Sequence, residues 1–350
     1  MNPLATRAPL RAGPLPRAYA PTVMVRRSLK PTAVSGMRMS SSDSKVRGNR
    51  SISSSQKNQA TNGIFLAPQA PHIRDLETAW THPVYTYDQM RDVRVAHRST
   101  KNWADWVALA AVRLLRWGMD TATGYRHPPK GQENVSKFVM TDKKWITRFI
   151  FLESVAGVPG MVGGTLRHLR SLRFLRRDNG WIETLLEEAY NERMHLLTFL
   201  NVARPGLFMR LMVLGAQGVF YNGFFLSYLI SPRICHRFVG YLEEEAVITY
   251  TRVISDIEEG RVPEWANMPA PEIAVQYWKM PEGNRTMKDL LLYVRADEAK
   301  HREVNHTLAN LNQENDPNPY AARYKDPKQP HPSKGIEHLR ETGWEREEAI

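Results

Sequence analysis

The chain has 350 residues, a formal charge of +12 and one cysteine, Cys235. Residues 1–60 hold eleven Lys and Arg against a single acid, Asp43. That segment alone carries nearly all the excess charge, so the remainder offers no basic stripe for a nucleic acid. A lone cysteine excludes an internal disulfide and fits a reducing compartment.

Residues 1–62 are Arg-rich, Ser-rich and acid-poor, with no continuous apolar core. That composition reads as an organellar transit peptide or, more blandly, a disordered basic tail, with Ser51–Asn62 as its frayed end. Residues 63–100 read as an irregular lead-in punctuated by Pro68, Pro71 and Pro83. From 102 to 123, Trp103, Trp106, Val107, Ala110, Ala111, Leu114, Leu115 and Met119 recur at helical spacing, bordered by Arg113 and Arg116. This face suits either a helix lying in a membrane interface or a core helix. A break follows at Pro128, Pro129 and Gly131. A helix is predicted over 142–157, capped by Thr141 and Asp142, with Pro159, Gly160, Gly163 and Gly164 loosening its continuation toward Arg177. The basic run 167–177 either meets lipid phosphates or forms a solvated face.

Further helices are predicted over 181–202, 207–230, 232–259 and 286–312, with a Pro-rich connection at 260–285. Leu211–Ile230 lacks charge, and its length just reaches the ~20 residues that span a bilayer. Its polar and glycine interruptions, with no suitable partner for a hairpin, favour a helix lying flat. Residues 313–350 form a charged, Pro-rich tail read as surface coil or disorder. A helical domain over 63–312 is therefore framed by two polar ends. There is no phosphate loop, Cys-x-x-Cys pair or nucleophile elbow.

The chemistry-bearing pattern is Glu153, then Glu192-x-x-His195, then Glu243, then Glu298-x-x-His301. Residues three apart on a helix share a side. Four helices presenting this set inward would make a ferritin-like four-helix bundle with a di-iron or di-manganese carboxylate site. Each glutamate shares its face with apolar residues: Glu153 with Phe149 and Ile150, Glu192 with Leu185 and Phe199, Glu243 with Val239 and Val247, Glu298 with Leu291 and Val294. Four carboxylates on apolar faces call for cations, because a buried unpaired carboxylate costs several kcal/mol. Asn191 and Asp297 adjoin the candidate ligands and suit an outer shell that orients histidine. Tyr250 lies two turns beyond Glu243, where it is either packing or redox-active. His168, His236 and His306 lack a ligand pattern.

The strings LESVAGVPGMVGG (152–164), NERMHLLTF (191–199), HRFVGYLEEEAVITY (236–250) and RADEAKHREVNH (295–306) resemble the four signature regions of the alternative oxidase family. The likeness extends over about 103–311. It implies an all-α di-iron bundle with two membrane-contacting helices, attached to the matrix face of the mitochondrial inner membrane, and usually a homodimer. Such an enzyme reduces O2 to water with electrons from ubiquinol and pumps no protons. By motif, two iron ions would be held by Glu153, Glu192, His195, Glu243, Glu298 and His301, with Tyr250 redox-active beside them. A quinol pocket would draw on Arg126, Arg148, Leu152, Glu245, Ala246 and Thr249, and the outer shell on Asn191, Asp297, Tyr277 and Trp278. The regulatory cysteine of plant members is missing upstream, so disulfide control and pyruvate activation of that kind are not expected. A di-iron hydroxylase of quinone precursors, a plastid plastoquinol oxidase and an iron-storage bundle are the competing readings.

Overall fold

The computed structural model describes residues 80–126, 128, 129, 131, 138–321, 326 and 328–350. The expected transit segment, 1–62, lies outside them. Among the described residues the regular structure is helical, in line with the all-α expectation. A short helix, α1 (Tyr87–Arg91), leads to α2 (Trp103–Thr123), α3 (Asp142–Ala156), α4 (Val158–Phe174), α5 (Trp181–Val202), α6 (Leu207–Ile230) and α7 (Pro232–Glu258). Two short helices, α8 (Pro263–Ala266) and α9 (Glu272–Tyr277), precede α10 (Met287–Asn310), and α11 (Arg346–Ala349) ends the chain.

Local chemistry sets the ends. Thr141 accepts from the Lys144 amide at the start of α3, and Ser231 accepts from the Ile234 amide ahead of Pro232. Thr286 and Asp289 form a reciprocal capping box at the start of α10. The loosened continuation predicted after residue 157 is a separate helix, α4, beginning beyond a turn at Gly157.

The bundle core is α3, α5, α7 and α10. α7 packs along α10, α3 and α4 pack on α5, and α2 crosses α7. α7 and α10 approach closely at Gly240, where an added Cβ would stand 2.4 Å from His306 Nδ1. The main core gathers Trp145, Phe149, Phe199, Val247, Leu291 and Val294. A second cluster, including Val112, Val162, Phe224 and Phe238, joins α2, α4, α6 and α7.

Two described stretches are long and apolar enough to cross a membrane, Asp142–Phe174 and Leu207–Ile230. The first is half buried within the bundle. Along α6 only Phe224 and Tyr228 are buried. On α2, Trp103, Trp106, Leu114, Leu115 and Trp117 are exposed, continuing an apolar surface of the kind that marks an interaction face.

The basic run over the second half of α4 and just beyond it is neither wholly solvated nor free: Arg167 pairs with Asp178 at 2.9 Å and stacks over Trp181. The C-terminal segment also differs from expectation. Ile336, Trp344 and Ala349 are buried, the Trp344 amide donates to Thr307 Oγ1 of α10, and buried Arg98 donates to the Thr342 carbonyl. Proline and charge concealed a few apolar anchors that dock this segment.

Candidate metal centre and adjoining cavity

α3 supplies Glu153, α5 supplies Glu192 and His195, α7 supplies Glu243, and α10 supplies Glu298 and His301. Their side chains converge in two overlapping groups. One comprises Glu153, Glu192, His195 and Glu298, the other Glu192, Glu243, Glu298 and His301, with donor atoms in each within 4.8 Å of one another. Glu192 and Glu298 belong to both groups, so the two Glu-x-x-His helices furnish the shared carboxylates. All six residues are buried.

His301 Nδ1 lies 2.7 Å from Glu192 Oε1, and His195 Nδ1 lies 3.3–3.5 Å from oxygens of Glu192, Glu298 and Glu153. Yet both Nδ1 atoms, both Glu192 oxygens, Glu153 Oε2 and Glu298 Oε2 lack a well-formed hydrogen bond. Crowded, buried acceptors without donors are what a cation resolves. Four carboxylates and two imidazoles suit iron or manganese, so the residues fit a pair of such ions.

Without metal, protons must do part of that work. Burial pushes the Glu153 carboxyl up to about 8, and burial with the Glu298 and Glu192 charges pushes Glu243 well up. Burial opposes the charged form of Glu192 too, but His195 and His301 outweigh it and hold that carboxyl low. Against the same burial penalty, Glu192 chiefly holds both imidazoles well above their usual range. The folded, metal-free cluster therefore binds more protons than the same groups in the unfolded chain above pH ~4.5, and its contribution to stability falls as pH rises. Thermal melts of metal-free protein should lose Tm between pH ~5 and ~8, and metal loading should remove most of that dependence.

The outer shell centres on Asp297. Its Oδ2 accepts from His195 Nε2 at 3.2 Å, Trp278 Nε1 at 2.9 Å and Asn191 Nδ2 at 3.1 Å, and Asn191 Nδ2 also reaches the Tyr277 hydroxyl. The bond at Nε2 turns His195 Nδ1 to the cluster. Sequence reasoning missed His82, whose Nε2 lies 2.7 Å from Asp297 Oδ1. It comes from the irregular lead-in, where no periodicity marks a buried residue.

Tyr250 donates a short hydrogen bond to Glu153 Oε1, and its ring stacks on Phe149. Burial, then the Glu153 charge, pushes its phenol well above the usual range.

An apolar cavity of about 600 Å3 ends at Glu153, Glu243, Glu298 and Tyr250. Of the residues expected at a quinol pocket, Arg148, Leu152, Glu245, Ala246 and Thr249 line it. Arg126 does not: it is exposed, and its carbonyl accepts from Arg252. The cavity's second arginine is Arg116, which sequence reasoning treated as a border of the α2 stripe. Arg116 donates to Glu245 and to Asp120, and Arg148 donates to the other Asp120 oxygen at 2.9 Å. The intervening Glu244 turns elsewhere, accepting from the Arg98 amide and pairing with His306 and His97.

Fold and site together define a helical bundle with a buried glutamate–histidine metal-binding core that opens to an apolar cavity. The family model described as "Alternative oxidase" matches residues 85–310, and the chain belongs to that family of oxidoreductases. It is similar to the mitochondrial alternative oxidases of Aspergillus niger (68% identical) and Emericella nidulans (65%), each over the full length of both chains. The mitochondrial alternative oxidase of Neurospora crassa is 51% identical over 98% of this chain and 97% of the relative.

Proposed function

We propose that this chain is a mitochondrial ubiquinol oxidase that reduces O2 to water at a di-iron centre held by Glu153, Glu192, His195, Glu243, Glu298 and His301. One observation carries the reading: the buried ligand cluster forms the inner end of a large apolar cavity. A lipid-borne reductant reaches such a centre without crossing water. Iron bound there supplies the one-electron steps and O2 reduction that side chains alone lack.

The chain's own residues bind and orient the quinol. Apolar walls exclude water, while Arg148 and Glu245 offer a donor and an acceptor to the headgroup. Asp120 fixes both arginines, and Arg116 fixes Glu245. Burial makes Tyr250 hold its proton, and the Glu153 oxygen that accepts its hydrogen bond would receive that proton if the phenol gave an electron to the bound iron, so the two losses are coupled.

The cavity is walled by α2, through Leu114, Leu115 and Trp117, and by α6, through Ala216, Val219 and Phe220. These two apolar helices lie in the matrix leaflet of the inner membrane and admit quinol between them. A protein embedded in one leaflet has no body across the bilayer to move protons, so turnover is non-electrogenic. Residues 1–62 act as the transit peptide, 63–312 as the oxidase domain with 313–350 docked on it, and the chain works as a homodimer.

Oxygen uptake by the purified, iron-loaded protein with a short-chain ubiquinol and cyanide tests this. Resistant uptake at two quinols per O2, without peroxide, is expected. A hydroxylated quinone product would instead identify a hydroxylase, and no uptake with two irons bound would sink the oxidase reading.

A further inference from the structure

A second cleft reaches the metal centre and shares no lining residue with the apolar cavity. It lies between the segment around Trp80–His82, α5, α10 and the docked C-terminal segment, with a volume of about 200 Å3. It touches the centre at His301, whose side chain is 9% exposed where that of His195 is wholly enclosed. Its walls are mixed, with Trp80, Tyr85, Tyr277 and Val304 beside Glu187, Glu188, Asn191, Asp297 and Lys300, and are richer in polar groups than those of the apolar cavity. Asn191 is buried, and its Oδ1 has no hydrogen-bond partner. Asn191 is one of the lining residues, and the space admits several waters at ~30 Å3 each.

We propose that this cleft is the loading port through which hydrated divalent cations reach the six ligands. The proposal rests on the reading of the cluster as a two-metal centre. A hydrated cation entering the apolar cavity would shed water against Phe and Val without replacement, a costly desolvation. Along the cleft, the carboxylates of Glu187 and Glu188, the latter already accepting from Asn305 Nδ2, and the amide of Asn191 offer oxygens in place of lost waters. Lys300, the cation on this wall, is held by Glu303 at 2.8 Å and by the carbonyls of Pro332 and Gly335. Its charge is locally offset and does not bar the way.

The test uses the full chain and cysteine labelling. Cys235 is buried, and burial pushes its thiol up to about 12, so an introduced cysteine is the reactive one. Thr81→Cys and Ser333→Cys place a thiol on two walls of the cleft, and Val219→Cys places one on the apolar cavity. Each metal-free variant, with and without a bulky methanethiosulfonate label, is mixed with Co2+ and followed by visible absorption. Labels in the cleft should slow loading by at least about tenfold while final uptake stays at two ions per chain. The Val219→Cys label should leave the rate unchanged. No slowing in the cleft variants, or slowing confined to Val219→Cys, overturns the port. If the unlabelled chain takes up no Co2+, the metal-centre reading fails and the port with it. Two ions taken up at label-independent rates overturn the port alone.

Discussion

Glu243→Ala is expected to leave the helices in place, hold fewer than two metal ions and lose oxidase activity by at least about a hundredfold. Glu243 belongs to only one of the two donor groups, with Glu192, Glu298 and His301. Its loss strips one donor from that group and leaves the shared carboxylates short of a counter-ion. Loss of a mere outer-shell partner costs about 10–100-fold in metal affinity or activity, and a direct ligand costs more. Stability should not collapse, because the metal-free carboxyl is itself a buried group that must be protonated. Metal analysis, circular dichroism and oxygen uptake on one preparation decide the matter. Two ions and normal turnover in the variant would remove Glu243 from the site.

Tyr250→Phe is expected to bind metal normally and lose about a hundredfold in kcat, the low end of what a positioned proton donor contributes. Phenylalanine preserves the stacking on Phe149 and Phe199, so the core keeps its packing. Only the hydroxyl disappears, and with it the donor to Glu153 Oε1. The quinol KM should change little, since Tyr250 lies at the cluster end of the cavity while the headgroup contacts proposed above fall to Arg148 and Glu245. Rapid-freeze spectroscopy of the native enzyme should detect a tyrosyl signal that the variant lacks. Unchanged kcat would make Tyr250 a packing residue only.

What the sequence revealed, and what it hid, follows from periodicity. The long helices were legible because their apolar faces recur every three or four residues and their ends carry caps such as Thr141, Ser231 and Thr286. The six residues of the cluster were legible for the same reason: each glutamate interrupts an apolar stripe, and the structure brings all six together. Arg116 was hidden because an arginine at the edge of a stripe looks alike whether it faces solvent or reaches Glu245 across α7. Arg126 was placed in the pocket by its motif alone, yet it sits in a connection after α2 and is exposed. His82 and Trp344 lie in segments with no repeating pattern, and only tertiary contacts with Asp297 and Thr307 give them a place. Proline and charge made the C-terminal segment look unstructured, although buried Ile336, Trp344 and Ala349, with hydrogen bonds to Thr307 and Arg98, dock it.

The three consecutive acids of α7 set a rule for how this chain can vary. Glu243 turns to the buried glutamate–histidine cluster, Glu244 to the buried pairing with His306, and Glu245 to Arg116 on the cavity wall. Successive residues differ by roughly 100° around a helix. A one-residue insertion or deletion between Pro232 and Tyr241 would keep every acid yet rotate each into its neighbour's surroundings, so three unrelated contacts would fail at once. A point substitution on this helix disturbs one of these contacts, whereas a change in its length disturbs all three, so its first eleven residues are fixed in number even where their identities are free to drift.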